Sequence, residues 1–180
     1  MAAQNDLQGK RIAVLMTDGV EQVEYTRPRQ FLEEHGAQVT LLAPKSQGES
    51  IQGFNHLSPA DQFQVEMSVG DAKADAFDAL VLPGGVANPD TNPDAVRFIQ
   101  AFSRARKPVA AICHGPWSLI EAGLVRGKRM TSWPSLRTDL RNAGAEWVDE
   151  EVVVDVKLIT SRKPDDIPAF NRAVLGALAG

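Results

Sequence analysis

Short, almost wholly apolar runs recur along the chain, and each stops at residues that end a strand. Arg11–Met16 stops at Thr17-Asp18-Gly19, Gln38–Leu42 at Ala43-Pro44, Ala76–Leu82 at Pro83-Gly84-Gly85, and Lys107–Ile112 at Cys113-His114-Gly115-Pro116. Runs of this length, apolar at successive positions and not at alternate ones, read as strands buried on both faces. Between the first two, residues 22–35 carry Val23, Phe31 and Leu32 among charges, and Gly36 stands where a helix C-cap belongs. Strand, helix and strand at this spacing make a βαβ unit, which implies parallel pairing.

The remaining chain extends the pattern. Asn92-Pro93 opens a helix over about 93–105, an apolar helix follows Pro116 through Ala122, and a short one spans Pro134 to Ala143. Val152–Val154 and Lys157–Thr160 flank Asp155-Val156 as a hairpin or as two adjacent strands, and Asp165–Leu178 closes the chain as an amphipathic helix. Residues 45–72 break the rhythm; Ile51–Phe54 and Phe63–Met67 are expected to form a side hairpin. The expected fold is a three-layer α/β sandwich, a doubly wound, mostly parallel sheet with helices on both sides. A length of 180 residues suits one domain over 1–180, with 1–9 as a loose N-terminal tail.

Composition narrows the function. A net charge of −4 and a pI near 5.4 argue against a general nucleic-acid surface, and Arg126-Gly127-Lys128-Arg129 reads as a solvated turn. No apolar run reaches the roughly 20 residues that span a bilayer, and the first residues lack the basic and apolar regions of a secretory signal. The lone cysteine forms no internal disulfide and fits a reducing compartment, so a cytoplasmic location is expected. One Cys and three scattered His give no metal-ligand spacing, and Gly84-Gly85 lacks the pattern of a dinucleotide loop or P-loop; neither metal nor cofactor is expected.

Sites in open parallel sheets form beyond the carboxyl ends of the strands. Three such ends carry unusual residues: Glu21 and Glu24 after the first, Gly84-Gly85 after the third, and Cys113-His114-Gly115 after the fourth. Cys113 sits where a strand turns sharply into a helix, between the small residues Ala111 and Gly115, as a nucleophile elbow requires. Helix N-terminal N–H groups there should lower the thiol pKa. The plainer alternative is a buried cysteine acting as a small hydrophobe. His114 either folds back as a general base or caps local backbone, while its N–H is a possible oxyanion donor. Glu21 and Glu24 share a helix face, and either one caps the helix or a protonated carboxyl meets the sulfur. Gly84 and Gly85 bring backbone N–H groups close to a substrate oxygen or form a plain turn. His35 reads as a helix-end cation, and His56 has no assigned role.

Val81-Leu82-Pro83-Gly84-Gly85, Ala111–Pro116, Asn142–Glu146 and Glu151–Asp155 together resemble the ThiJ/PfpI superfamily, in particular its PfpI-type intracellular proteases and general stress proteins. The resemblance runs from Arg11 to the last helix. It implies a flavodoxin-like sandwich of the class I glutamine amidotransferase-like type, working as a homodimer or higher homo-oligomer. It implies a nucleophile at Cys113, its adjacent histidine at His114, and the acid that hydrogen-bonds the cysteine at Glu24, by the Glu-x-x-Glu-x-x-x-Pro spacing to Pro28. A third carboxylate, reaching the histidine from a neighbouring subunit, falls on Asp90, where the archaeal-type proteases carry Glu on a longer loop. Residues 45–72 are longer than the family pattern.

The function these residues suggest is a cysteine-dependent hydrolase or lyase acting on small carbonyl compounds or peptides, as a peptidase or a glyoxalase or deglycase, in stress protection. Gly84, Gly85 and Gly115 would frame the oxyanion and substrate site. The alternative is a redox-responsive protective protein or chaperone in which Cys113 is oxidised without turnover. No membrane or nucleic-acid partner is expected.

Overall fold

The computed structural model describes residues 6–179. The first half runs β1 (Arg11–Leu15), β2 (Val20–Glu21), α1 (Val23–Glu34), β3 (Gln38–Ala43), β4 (Ser50–Asn55), β5 (Ser58–Gln64), β6 (Met67–Ser68) and β7 (Ala79–Leu82). The second runs α2 (Pro93–Arg104), β8 (Val109–Ile112), α3 (Pro116–Glu121), β9 (Arg129–Met130), α4 (Arg137–Asn142), β10 (Glu146–Trp147), β11 (Val152–Asp155), β12 (Leu158–Ser161) and α5 (Ile167–Ala179).

Seven strands form the central sheet in the order β11-β12-β8-β7-β1-β3-β6. Every neighbouring pair is parallel except β11–β12, which takes the hairpin form, one of the two arrangements expected. Alternation along β1 explains the continuous apolar runs. Ile12 and Val14 face the core that includes Leu32 of α1 and Phe170 and Val174 of α5. Ala13 and Leu15 face the opposite core, with Phe98 and Phe102 of α2 and Leu119 of α3. Both faces are covered, so every position of Ile12–Leu15, Ala79–Leu82 and Val109–Ile112 is buried. Asn92 opens α2 by accepting the Ala95 N–H at its Oδ1, 3.0 Å away.

From β1 the chain moves outward to β3 and later returns to β7 on the other side of β1. The strand order therefore reverses beside β1, and the crevice beyond the carboxyl ends of β1, β7 and β8 is where this class of sheet binds ligands.

Two expectations need correction. The stretch Phe63–Met67 is not one strand: Phe63 and Gln64 end β5, and Met67 begins β6, which joins the edge of the main sheet beside β3. The hairpin β4–β5 pairs instead with β2, in a second sheet ordered β2-β4-β5. Residues 6–9 do not form the loose tail expected of them. Leu7 is fully buried and donates its N–H to the His35 carbonyl at 2.9 Å, so 6–9 form a packed turn, and residues 1–5 lie outside the described ones. Among the described residues, no helix is long and apolar enough to cross a membrane.

Candidate active site

Cys113 follows β8 directly and has a φ of +63°, a left-handed conformation that costs a non-glycine residue strain and persists only when neighbours enforce it. They do so on both sides. The Cys113 N–H donates to Ser161 O at 3.0 Å, and its carbonyl accepts the Trp133 N–H at 2.9 Å. The turn needs its small neighbours: a Cβ on Gly115 would lie 2.6 Å from Leu82 O. The strand-to-helix elbow expected from the sequence is present.

The His114 side chain folds back, placing Nδ1 3.1 Å from Cys113 Sγ. Its ring stacks on Trp133 with centroids 5.8 Å apart and lies 5.2 Å from the ring of Trp117. This aromatic packing holds the orientation, and burial lowers the imidazole pKa. A neutral ring accepts a proton; an imidazolium does not.

Glu24, in the first turn of α1, is fully buried behind the cysteine, and its Oε2 accepts the Gly84 N–H at 2.7 Å. Burial drives its pKa up to about 8, against the pull of the bonds to Gly84 and Cys113, and the Glu21 charge adds to the rise. Its Oε1 accepts no hydrogen bond although carboxyl and thiol interact. A buried oxygen without a donor beside a sulfur is satisfied when it carries the proton and donates it. Neither glutamate caps α1, whose N-cap is Gln22 without a side-chain bond. Glu21 Oε2 instead accepts the His56 N–H at 3.0 Å, tying the β4–β5 turn to the first loop.

The thiol pKa moves opposite to the expectation. Burial pushes it up, an ionised Glu24 would add to the rise, and the backbone N–H groups of Gly85 and His114 pull it down; a protonated Glu24 adds no charge and donates to the sulfur instead. The helix-terminus expectation left out desolvation, and α3 is only a turn and a half long. Burial thus favours a protonated carboxyl beside a thiol, with His114 Nδ1 placed to accept the thiol proton.

Gly84 and Gly85 are required by close approach. A Cβ on Gly84 would sit 2.5 Å from Glu24 Oε2 and 2.7 Å from both Cys113 Cβ and Ile112 O. Gly85 has a φ of +104° and forms an antiparallel bridge with Val20.

Gly85 lines a cavity of about 620 Å³, of a size that takes a small ligand, whereas Gly84 and Gly115, expected there as well, do not: their N–H groups donate to Glu24 Oε2 and to Ile112 O. Glu21, Glu24, Gly85, Cys113 and His114 supply its polar surface, and His56, unassigned from sequence, also lines it. Its walls are Phe54, Leu57, Val86, Ala87, Trp133 and Pro164. Leu57, Val86 and Trp133 are among the few large apolar side chains left exposed. The irregular segment thus shapes the mouth of the cavity.

Asp90 lies apart. It occupies the 3-10 turn Pro89–Thr91, is half-buried, and does not line this cavity. Within one chain it is not brought to His114. Sequence reasoning also missed Trp133 and Ser161. Trp133 lies in an irregular stretch before Pro134, where no periodicity singles it out, and Ser161 acts through its backbone carbonyl, to which residue identity is blind.

The chain matches known proteins in sequence and in fold. The profile of the DJ-1/PfpI family matches residues 10–177. General stress protein 18 of Bacillus subtilis is 43% identical over 173 residues, covering 94% of this chain and 98% of that protein. Protein/nucleic acid deglycase 2 of Escherichia coli is 41% identical over 177 residues, with the same coverage of 94% and 98%. A crystal structure from Anabaena variabilis, of a two-domain protein with DJ-1/ThiJ/PfpI-like and ferritin-like domains, superposes with a TM-score of 0.88 at 39% identity. The match covers 94% of this chain and 48% of that one, about half its length. With a family match spanning nearly its whole length and relatives of this closeness, the chain belongs to the DJ-1/PfpI family.

Proposed function

We propose that the protein is a cysteine-dependent hydrolase or lyase of the PfpI type, acting on carbonyl compounds as a peptidase or as a glyoxalase or deglycase in stress protection. The observation that carries this reading is Cys113 Sγ at 3.1 Å from a neutral His114 Nδ1, on the floor of an open cavity. The thiol proton passes to Nδ1 as sulfur bonds to the carbonyl carbon, and the C=O π pair moves to oxygen. The N–H groups of Gly85 and His114, which act on the sulfur in the resting site, stand beside the new oxyanion. With a peptide the oxyanion pair re-forms C=O as the C–N bond breaks, the imidazolium protonates the departing amine, and water hydrolyses the thioester to release the acid and restore the thiol. With methylglyoxal the hemithioacetal isomerises through an enediol to a lactoyl thioester, which water hydrolyses in the same way. Turnover of methylglyoxal to lactate and of a fluorogenic peptide tests this directly. Cys113→Ala should reduce both to background, and His114→Ala should lower kcat/KM by about 10²- to 10⁴-fold, the usual worth of a general base. Unaltered turnover in Cys113→Ala excludes the reading.

The family pattern supports a second element, a homodimer or larger ring in which Asp90 of one subunit orients the partner's histidine. Sedimentation at micromolar concentration should give a dimer or larger species, and Asp90→Asn should weaken turnover without changing that species. A monomer with full activity rules the arrangement out.

One observation favours a redox-responsive protein without turnover. The N–H groups and protonated carboxyl around the sulfur are also partners for sulfenic or sulfinic oxygens formed by peroxide. Oxidation of Cys113 seen by mass, with no carbonyl substrate turned over, decides for it.

A further inference from the structure

At the end of the sheet opposite Cys113, where β8 and β12 begin, the surface holds a second cavity of about 470 Å³. Four cations line it, Arg106 and Lys107 ahead of β8, Lys128 ahead of β9, and Lys157 in the β11–β12 turn, and no carboxylate does. In a chain of net charge −4 this is a local reversal of sign. Lys107 is already engaged, its Nζ donating to the carbonyls of Phe77 and Ala74 at 2.7 and 3.0 Å. Arg106, Lys128 and Lys157 form no ion pair among the described residues.

Beneath the charges the cavity is aliphatic, lined by Val109, Leu124, Val156 and Leu158, of which Val156 is 80% exposed. A cleft lined by one sign of charge over low-dielectric walls concentrates the opposite ion, and an apolar pocket with a few converging polar groups is the usual form of a small-molecule site.

We propose that this cavity binds a small organic anion with an aliphatic body, its charged group held between Arg106, Lys128 and Lys157 and its body on the aliphatic floor. The lining distinguishes this class from others. It contains no aromatic ring to stack a nucleobase and no carboxylate or amide side chain to read a base edge. An inorganic anion satisfies the cations but leaves the floor in water. The site is separate from the nucleophile: the four residues of β8 stand between them, about 13 Å at 3.3 Å per residue.

Octanoate is the probe. Calorimetric titration of the full chain at low salt should show saturable one-to-one binding, weakened at least tenfold in about 0.5 M NaCl, where exposed charges are screened. Octanol, with the body but no charge, and inorganic phosphate, with charge but no body, should each bind at least tenfold more weakly. The double variant Arg106→Glu/Lys157→Glu should lose at least tenfold in affinity, while protein alkylated at Cys113 keeps the parent value. Amide shifts of Val109, Leu124 and Lys157 in the unaltered protein should move on titration, a readout that does not depend on the variant folding. The proposal is overturned if octanol binds as tightly as octanoate, if a folded double variant keeps its affinity, if alkylation of Cys113 abolishes binding, or if the shifts lie elsewhere.

Discussion

Between about pH 5 and pH 7.5 the free energy of unfolding is expected to fall, relative to Glu24→Gln, by about 1.4 kcal/mol for each pH unit. The cause is the Glu24 carboxyl, whose pKa rises from 4.5 to about 8 on burial. Above pH 4.5 the unfolded chain has released this proton while the folded one retains it, so the folded state binds one proton more and rising pH favours unfolding. The contribution is intact below the unfolded value and is lost as pH climbs to about 8. His114 acts in the opposite sense, since its lowered pKa makes the unfolded chain the better proton binder at mildly acid pH. That contribution is common to parent and variant and cancels in the difference. Urea unfolding of both proteins across the pH series measures the slope.

The same measurement, made against Cys113→Ala, reports the resting state of the cysteine. A Cys113 thiol keeps its proton in the folded and the unfolded chain at about pH 6 and gives no difference in slope from the alanine variant. A thiolate has released in the folded state the proton that the unfolded thiol still holds, so the parent gains about 1.4 kcal/mol on the variant for each pH unit. A rising difference curve therefore shows that the elbow and its N–H donors outweigh burial, and a flat one that His114 must remove the thiol proton during the reaction. Glu24→Gln keeps a donor to the sulfur, whereas Glu24→Ala removes it. A hydrogen bond to a charged group is worth about 1.5–3 kcal/mol, so the alanine variant should raise the thiolate midpoint above that of the glutamine variant by about one pH unit or more. Equal midpoints in the two variants show that Glu24 does not bond the sulfur.

Gly84→Ala is expected to be the most damaging single change at the site, lowering stability by about 3 kcal/mol or more and abolishing thiol-dependent turnover. The added methyl meets Glu24 Oε2 at 2.5 Å and Cys113 Cβ and Ile112 O at 2.7 Å. Ile112 O is backbone at the end of a central strand, and Glu24 and Cys113 are buried, so no flexible chain end can yield. Relief requires the carboxyl to leave its bond with the Gly84 N–H or the elbow to shift from the strained turn, and either move separates the reacting groups. Gly176→Ala is the matched control. Gly176 sits exposed in α5 with nothing near a new Cβ, and alanine there should stabilise by about 0.5–1 kcal/mol through helix propensity. Urea midpoints and iodoacetamide labelling rates separate the two cases, and a Gly84→Ala protein with parental stability and labelling contradicts the packing assigned to this crossing.

The sheet was legible in the sequence because burial on both faces leaves a local mark. Ile12 to Leu15, Ala79 to Leu82 and Val109 to Ile112 are buried at every position, and each run ends at a turn residue that the backbone needs. Cys113 was legible for the same reason, since a strained strand-to-helix elbow demands small neighbours at fixed offsets. Glu24, Gly84 and Gly85 could be named, but how they meet could not, because their contacts join strand ends about 60 and 90 residues apart in the chain. Only the tertiary structure decided that Glu24 is buried, which favours its protonated form, that the His114 ring turns back onto the sulfur beside Trp117 and Trp133, and that Glu21 holds the β4–β5 turn at the cavity. It also reversed the direction of the cysteine pKa. Local sequence registers a helix start near the thiol, whereas desolvation depends on everything packed around it, and that is a property of the fold.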